Sequence, residues 1–413
     1  MTSNHAKSNS RHRGLPALLA ALSAVGPFSI DAYLPSMEEI GRRLHASPLA
    51  VQQTLTAYMV PFALMTLWHG SISDALGRRR VVLWGMALFG LASAACACAT
   101  SIEALLLFRA LQGMTAGAGM VVGRAIVRDL YHGADAQRIM AQVTITFAIA
   151  PAVAPVIGGW LHVWFGWRAV FGFLVLFTGT CWLLCQRMLP ETLPPGRRQP
   201  LHPVYLARSY WSVLTSLPFV AACFAVTLNF SGFFIYVVSA PVFLMDYLHV
   251  SATGFLWLFG PLTFGMAGGA WLSGRLAGRM TPVRTMAWGY VLMGFAAGGN
   301  LLFHVLHSPA LPWSVVPLFF YVLGAALCYP SLTLLALDLF PEQRGLAASC
   351  QSFAQTGGAA INAMIAPLVW FSTRSLAWTQ MSCLGLGLAG LLVYLRTSRA
   401  ERLPSLKMAA EGT

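Results

Sequence analysis

The chain has 413 residues, 57% of them hydrophobic and only 9% charged, with a formal net charge of +13. A water-soluble domain carries about 25% charged residues, so there is too little charge here to clothe a water-facing surface, and the chain is expected in a membrane. The basic residues recur between apolar runs instead of forming one patch, which excludes a nucleic-acid footprint and fits the loops of a membrane protein.

A helix crosses the bilayer in about 20 apolar residues. Scanning with that length predicts twelve spans. The first six cover 15–36, 50–73, 81–100, 103–124, 138–161 and 168–189; the second six cover 215–244, 252–273, 285–305, 313–337, 346–371 and 375–396. The first run follows Lys7, Arg11 and Arg13 but is longer than the roughly 7–15 residues of a signal-peptide core, so it is read as a retained span. The interval from Pro190 to Ser212 is rich in Pro and Gly, which break helices. It follows six spans and precedes six, and is read as a linker. The expected organisation is a tail at 1–14, a six-helix bundle at 15–189, a linker at 190–214, a second bundle at 215–396 and a tail at 397–413.

Basic loops prefer the cytoplasm. With the linker, both tails and Arg78–Arg80 inside, 21 of the 26 Lys and Arg fall on the inner side; Arg42, Arg43, Arg168 and Arg374 lie outside, and Arg109 lies within a span. Losing one span would invert every later loop, so the bias supports the span count and places both termini inside. Gly70-Ser-Ile-Ser-Asp74-Ala-Leu-Gly77-Arg78-Arg79-Arg80 is read as a polar hinge between spans 2 and 3. Ser273–Arg284, after span 8, is a degenerate counterpart. Two related halves around a cavity are a transporter architecture.

Ionisable groups inside spans are costly and mark function by default. Asp31 in span 1 and Arg109 in span 4 both lie roughly 9 Å from the outer end at 1.5 Å per residue, so they are expected to pair. Asp31 would carry the proton and Arg109 would tune it; a static ion pair is the competing reading. Arg109, Gln112, Gly113, Ala116 and Gly117 share one polar or small face of span 4. In span 5, Pro151, Pro155, Gly158 and Gly159 would give a kinked helix open to close approach, with ordinary small-residue packing as the alternative. Asn229, Phe233 and Tyr236 share a face of span 7, where an aromatic and amide surface could hold an amphipathic ligand. Tyr33, Tyr58, Tyr329, Gln355 and Asn362 are further polar groups within spans, which cavity lining or interhelical hydrogen bonds would explain equally. The eight cysteines all fall in apolar runs and read as small core or lipid-facing residues, with no zinc-site setting.

No HExxH, GxSxG or Walker loop is present. The chain is therefore not expected to be an enzyme, needs no cofactor or metal, and would draw its energy from an ion gradient or work by passive flux.

These residues resemble the major facilitator superfamily over nearly the whole chain. Gly70–Arg80 looks like its loop 2–3 signature, with Ala75 where a basic residue is common. The resemblance implies that Gly70, Asp74, Gly77, Arg78 and Arg79 form a conformational switch. Arg109-Ala-Leu-Gln112-Gly113 resembles the span 4 signature, whose Arg is linked to proton coupling. Ala150-Pro-Ala-Val-Ala154-Pro155-Val-Ile-Gly158-Gly159 resembles the span 5 antiporter signature, with Ala for Gly at 150 and 154. Ser29-Ile30-Asp31-Ala-Tyr33-Leu34-Pro35, Arg128-Asp129-Leu-Tyr131 and Glu191–Pro200 are similar to the bicyclomycin and chloramphenicol resistance branch of drug–proton antiporters.

The resemblance implies an all-α major facilitator fold in a bacterial inner membrane. The expected function is proton-coupled export of small amphipathic drugs by alternating access. Its partners would be the substrate, protons and the lipid bilayer, with no nucleic acid, and the protein would be a monomer. Proton coupling is expected at Asp31 and Arg109. The substrate cavity is expected from Tyr33, Tyr58, Gln112, Asn229, Phe233 and Tyr236. Export of a metabolite such as an amino acid or nucleoside is the alternative, and a non-transporting receptor or scaffold is the alternative of another class.

Overall fold

The computed structural model describes residues 14–131, 133–198, 210–340 and 344–411. The tail with Lys7, Arg11 and Arg13, together with Arg208 and Glu342, lies outside the described residues. Among the described residues, twelve helices of 17 to 39 residues follow one another. They are α1 (Leu15–Asp31), α2 (Pro48–Leu76), α3 (Arg78–Ala97), α4 (Ile102–Leu130), α5 (Gly133–Phe165) and α6 (Trp167–Met188), then α7 (Leu217–Val238), α8 (Leu256–Leu276), α9 (Pro282–Leu306), α10 (Val316–Leu337), α11 (Arg344–Val369) and α12 (Thr373–Glu411). No strand is named among the described residues.

Among the described residues, eight stretches are long and apolar enough to cross a membrane. They match α1, α3, α4, α6, α7, α9, α10 and α12, the first extended through Arg43 and the last counted only to Ser398. In α5 only the shorter segment Ile149–Phe165 is as apolar. The others, α2, α8 and α11, carry Ser, Thr and Gly among their apolar residues. Such composition suits helix-to-helix contact, because lipid offers no hydrophobic drive between helices and small residues let backbones approach.

Several helix ends differ from expectation: α4 continues to Leu130 and α12 to Glu411, where the spans were expected to end at 124 and 396 and a tail to begin at 397, and two others stop early. The first span was expected to run to 36, but α1 stops at Asp31. Pro35 lacks the amide an α-helix needs there. A 3₁₀ turn, Leu34–Ser36, and a short helix, Met37–Arg43, follow. The seventh span was expected at 215–244, but α7 ends at Val238, and a π-helical turn covers Val242–Tyr247.

The chain divides into two compact units. One comprises Met1–Leu201 with Leu244–Phe259; the other comprises His202–Phe243 with Gly260–Thr413. Within the first unit α1 packs on α4, α5 and α6, and α3 packs on α4 and α6. Within the second, α7 packs on α10, α11 and α12, and α9 packs on α10 and α12. The same pairings thus recur six helices later.

Candidate functional site

The first unit is built around a buried cation. Arg109, on α4, has no solvent exposure. Its Nη1 donates to the Ser29 carbonyl at 3.2 Å, to Ser29 Oγ at 3.1 Å and to Gln112 Oε1 at 2.5 Å. Gln112 then donates from Nε2 to Ser93 Oγ on α3 at 2.7 Å. The guanidinium carbon lies 4.4 Å from the centre of the Tyr58 ring, 4.8 Å from Tyr33 and 6.0 Å from Phe171. Among the described residues its Nε and Nη2 have no hydrogen-bond partner. Aromatic faces therefore do part of the work of solvating the charge, worth about 2 kcal/mol or more per ring when water is excluded.

The helix pattern explains why these groups meet. Arg109, Gln112, Gly113, Ala116 and Gly117 are all buried on one face of α4. A Cβ on Gly113 would strike the Tyr58 carbonyl of α2. The missing side chain is what lets α2 bring Tyr58 under the guanidinium. Tyr33 lies fully buried beside the same charge, with its hydroxyl 2.7 Å from Thr54 Oγ1.

Asp31 is 4% exposed and closes α1. The expected direct pair with Arg109 does not form: their side chains are not within the 4.0 Å of an ion pair. The reason is angular. Each helix residue turns about 100°, so Ser29 and Asp31, two apart, point about 200° apart, and Ser29 holds the face toward α4. Asp31 instead lies within electrostatic range of the Tyr58 phenol, which also feels Arg109.

The expected hinge at Gly70–Arg80 is almost entirely helical. Helix α2 runs through Asp74 to Leu76 and α3 starts at Arg78, so the turn is one residue, Gly77, at φ 103°. That φ belongs to the region glycine tolerates. Polar Ser71–Asp74 extends the helix because nothing in those residues stops one; only Gly77 does. Arg78 Nη1 contacts Asp74 Oδ1 at 2.6 Å and Ser73 Oγ at 2.5 Å, and its Nε meets Asp129 Oδ2 on α4 at 3.2 Å. Arg79 Nη2 donates to the Gln186 carbonyl of α6 at 2.7 Å. Gly70 sits within α2.

Pro151 and Pro155 lie inside α5. A Cβ on Gly158 would collide with the Ala32 carbonyl, directly after Asp31, and one on Gly159 would collide with the Ala252 carbonyl. The two adjacent glycines thus open different sides of α5. One side takes the turn that carries Asp31; the other takes the Leu244–Phe259 segment of the same unit.

Of the residues expected to line a cavity, Tyr33, Tyr58 and Gln112 belong to the Arg109 cluster. Asn229, Phe233 and Tyr236 belong to the second unit. Asn229 Nδ2 donates to Tyr290 Oη at 2.9 Å. Asn300 Nδ2 donates to Tyr236 Oη and to Gln380 Oε1, each at 2.7 Å. Phe233 packs edge-on against Phe230, with ring centres 4.9 Å apart. Tyr329 donates to Gln355 Oε1 at 3.4 Å, and Asn362 to the Ser231 carbonyl at 3.4 Å.

Ser93, Tyr290, Asn300 and Gln380 were not expected here, because they are single polar residues that no spacing rule separates from packing, and Ser29 was noted only as part of the motif around Asp31. Glu39 was not expected either; it bonds the Trp167 amide at 3.0 Å and lies 3.2 Å from His162 Nδ1. That link ties the segment after Asp31 to α5 and α6.

A family model described as Major Facilitator Superfamily matches residues 18–363. The chain is 28% identical to Multidrug resistance protein D of Escherichia coli, over 93% of this chain and 95% of that protein. It is 26% identical to a bicyclomycin resistance protein homolog of Haemophilus influenzae, over 92% and 95%. Among solved structures, a peptide transporter bound to sulfate superposes with a TM-score of 0.74 at 16% identity, over 94% of this chain and 95% of that one.

Proposed function

The chain belongs to the Major Facilitator Superfamily and is a multi-pass membrane transporter, not an enzyme; from that premise we propose that it exports small amphipathic drugs from a bacterial cytoplasm in exchange for protons. The named relatives in drug resistance support the substrate class. The proposed setting is the inner membrane with both termini cytoplasmic, as the bias of Lys and Arg favours.

The observation that carries the reading is the buried cluster of Arg109, Tyr58 and Asp31. Arg109 is held by neutral oxygens and rings and not by a carboxylate, which in this reading leaves Asp31 as the group that takes and gives the proton. One proton on Asp31 then changes the charge of a water-poor cluster by a whole unit, which is large where the dielectric is low. In the proposed cycle Asp31 takes a proton from the outer side, and substrate capture from inside accompanies its release. The Asp31 turn rests on Gly158, and the Arg78–Asp129 contact holds the α2–α3 turn, so both motifs would move with alternating access.

The test is proton release from purified protein in weakly buffered detergent, on adding a panel of amphipathic antibiotics. The expected result is release on binding by the native protein and none by Asp31→Asn, which should still bind. Release of equal size from Asp31→Asn would remove Asp31 as the coupling site.

A further inference from the structure

The stretch after α6 does more than connect. Helix α3 opens with three arginines, at the end where a helix dipole is already positive. Its N-cap is Gly77, which has no side chain to offer. The missing acceptor comes from 113 residues away: Glu191 Oε1 accepts from the Arg78 amide at 2.9 Å and from the Leu193 amide at 3.1 Å. Its Oε2 lies 4.0 Å from Arg198 Nη2. Next to it, Thr192 Oγ1 donates at 2.7 Å to Asp129 Oδ2, the same oxygen that receives Arg78 Nε at 3.2 Å. A Cβ on Gly77 would sit 2.5 Å from Glu191 Oε2 and 3.0 Å from Arg198 Nη2. Gly77 is therefore fixed twice, by its φ and by the carboxylate seated against it.

We propose that residues 190–198 form a strap fastened to the α2–α3 turn, with Glu191 as the positioning residue that sets how readily that turn moves. Arg78 cannot leave Asp129 without disturbing an oxygen that Thr192 also uses. The Arg78 amide cannot leave its place without losing Glu191. The strap is continuous with the chain leading into the second unit, so its fastening ties that connection to the turn. None of these groups touches the Arg109 cluster, so the strap acts on rate and not on substrate affinity. The inference rests on the reading of Gly70–Arg80 as the conformational switch.

The experiment compares Glu191→Ala and Glu191→Gln with native protein, each first shown monodisperse in detergent. Trypsin cleavage after Arg198 reports fastening, and drug export in everted vesicles gives kcat and KM. Glu191→Gln keeps an oxygen for both amides and should stay within about twofold of native in all three. Glu191→Ala removes the cap; cleavage should quicken about tenfold and kcat fall several-fold, with KM within about twofold. Native cleavage or native kcat in Glu191→Ala would overturn the proposal, as would a rise in KM alone. If native protein exports none of the drugs while Glu191→Ala still opens to trypsin, the export reading fails and the fastening stands.

Discussion

Arg109 lies with its guanidinium carbon 4.4 Å from the centre of the Tyr58 ring, and this aromatic face, not the Asp31 carboxylate, is its near neighbour across α2. The stacking has a measurable share in stability. Tyr58→Phe keeps the ring and gives up a 3.4 Å bond to the Gly26 carbonyl; a loss of about 1 kcal/mol or less is expected. Tyr58→Leu removes the ring and should cost about 2 kcal/mol more. Thermal unfolding in detergent checks the order. Equal stability of the two variants would mean that the ring does not solvate the charge.

Close approach of α2 and α4 is set by Gly113. Gly113→Ala forces a Cβ onto the Tyr58 carbonyl, and overpacking of this kind costs about 1–3 kcal/mol or more. Gly172 on α6 has nothing within 4 Å of its Cβ position, so Gly172→Ala should be neutral or slightly stabilising. Folded yield from fluorescence-detected size exclusion should fall for the first and hold for the second.

Asp246, in the turn beyond the end of α7, predicts a pH effect. Burial first, and the Glu38 carboxylate second, raise its carboxyl above the ordinary carboxylate value, while His249 pulls the other way. A raised value in the folded state means that folding binds a proton the unfolded chain has released. Stability is therefore unaffected below the unfolded value, about 4, and declines as pH rises from there through the folded value. Asp246→Asn removes that decline. The variant should match native protein near pH 4 and exceed it at pH 7 to 8 in thermal unfolding.

Much of this was legible from residue order because membrane physics is strict. A run of about 20 apolar residues bounded by Arg, Pro or Gly leaves few choices, and the buried face of α4 followed from its i, i+3, i+4 spacing. What the sequence hid were matters of angle and context. Depth along the helix suggested that Asp31 meets Arg109, but a difference of two residues sends Ser29 toward the charge instead. The polar stretch before Gly77 looked like a loop because its side chains are hydrophilic; its backbone has no reason to leave the helix until the glycine. Glu191 stood out only as part of a stretch that resembles the family's; its role as a cap was hidden, because its partner is an amide 113 positions earlier.

The role proposed for Asp31 is to carry the proton that drives export. It is tested most directly in proteoliposomes with an imposed pH gradient, following accumulation of a labelled drug beside its passive exchange. Asp31→Asn is predicted to exchange drug across the membrane yet fail to accumulate it against a gradient. Accumulation by that variant at the native rate would contradict that role.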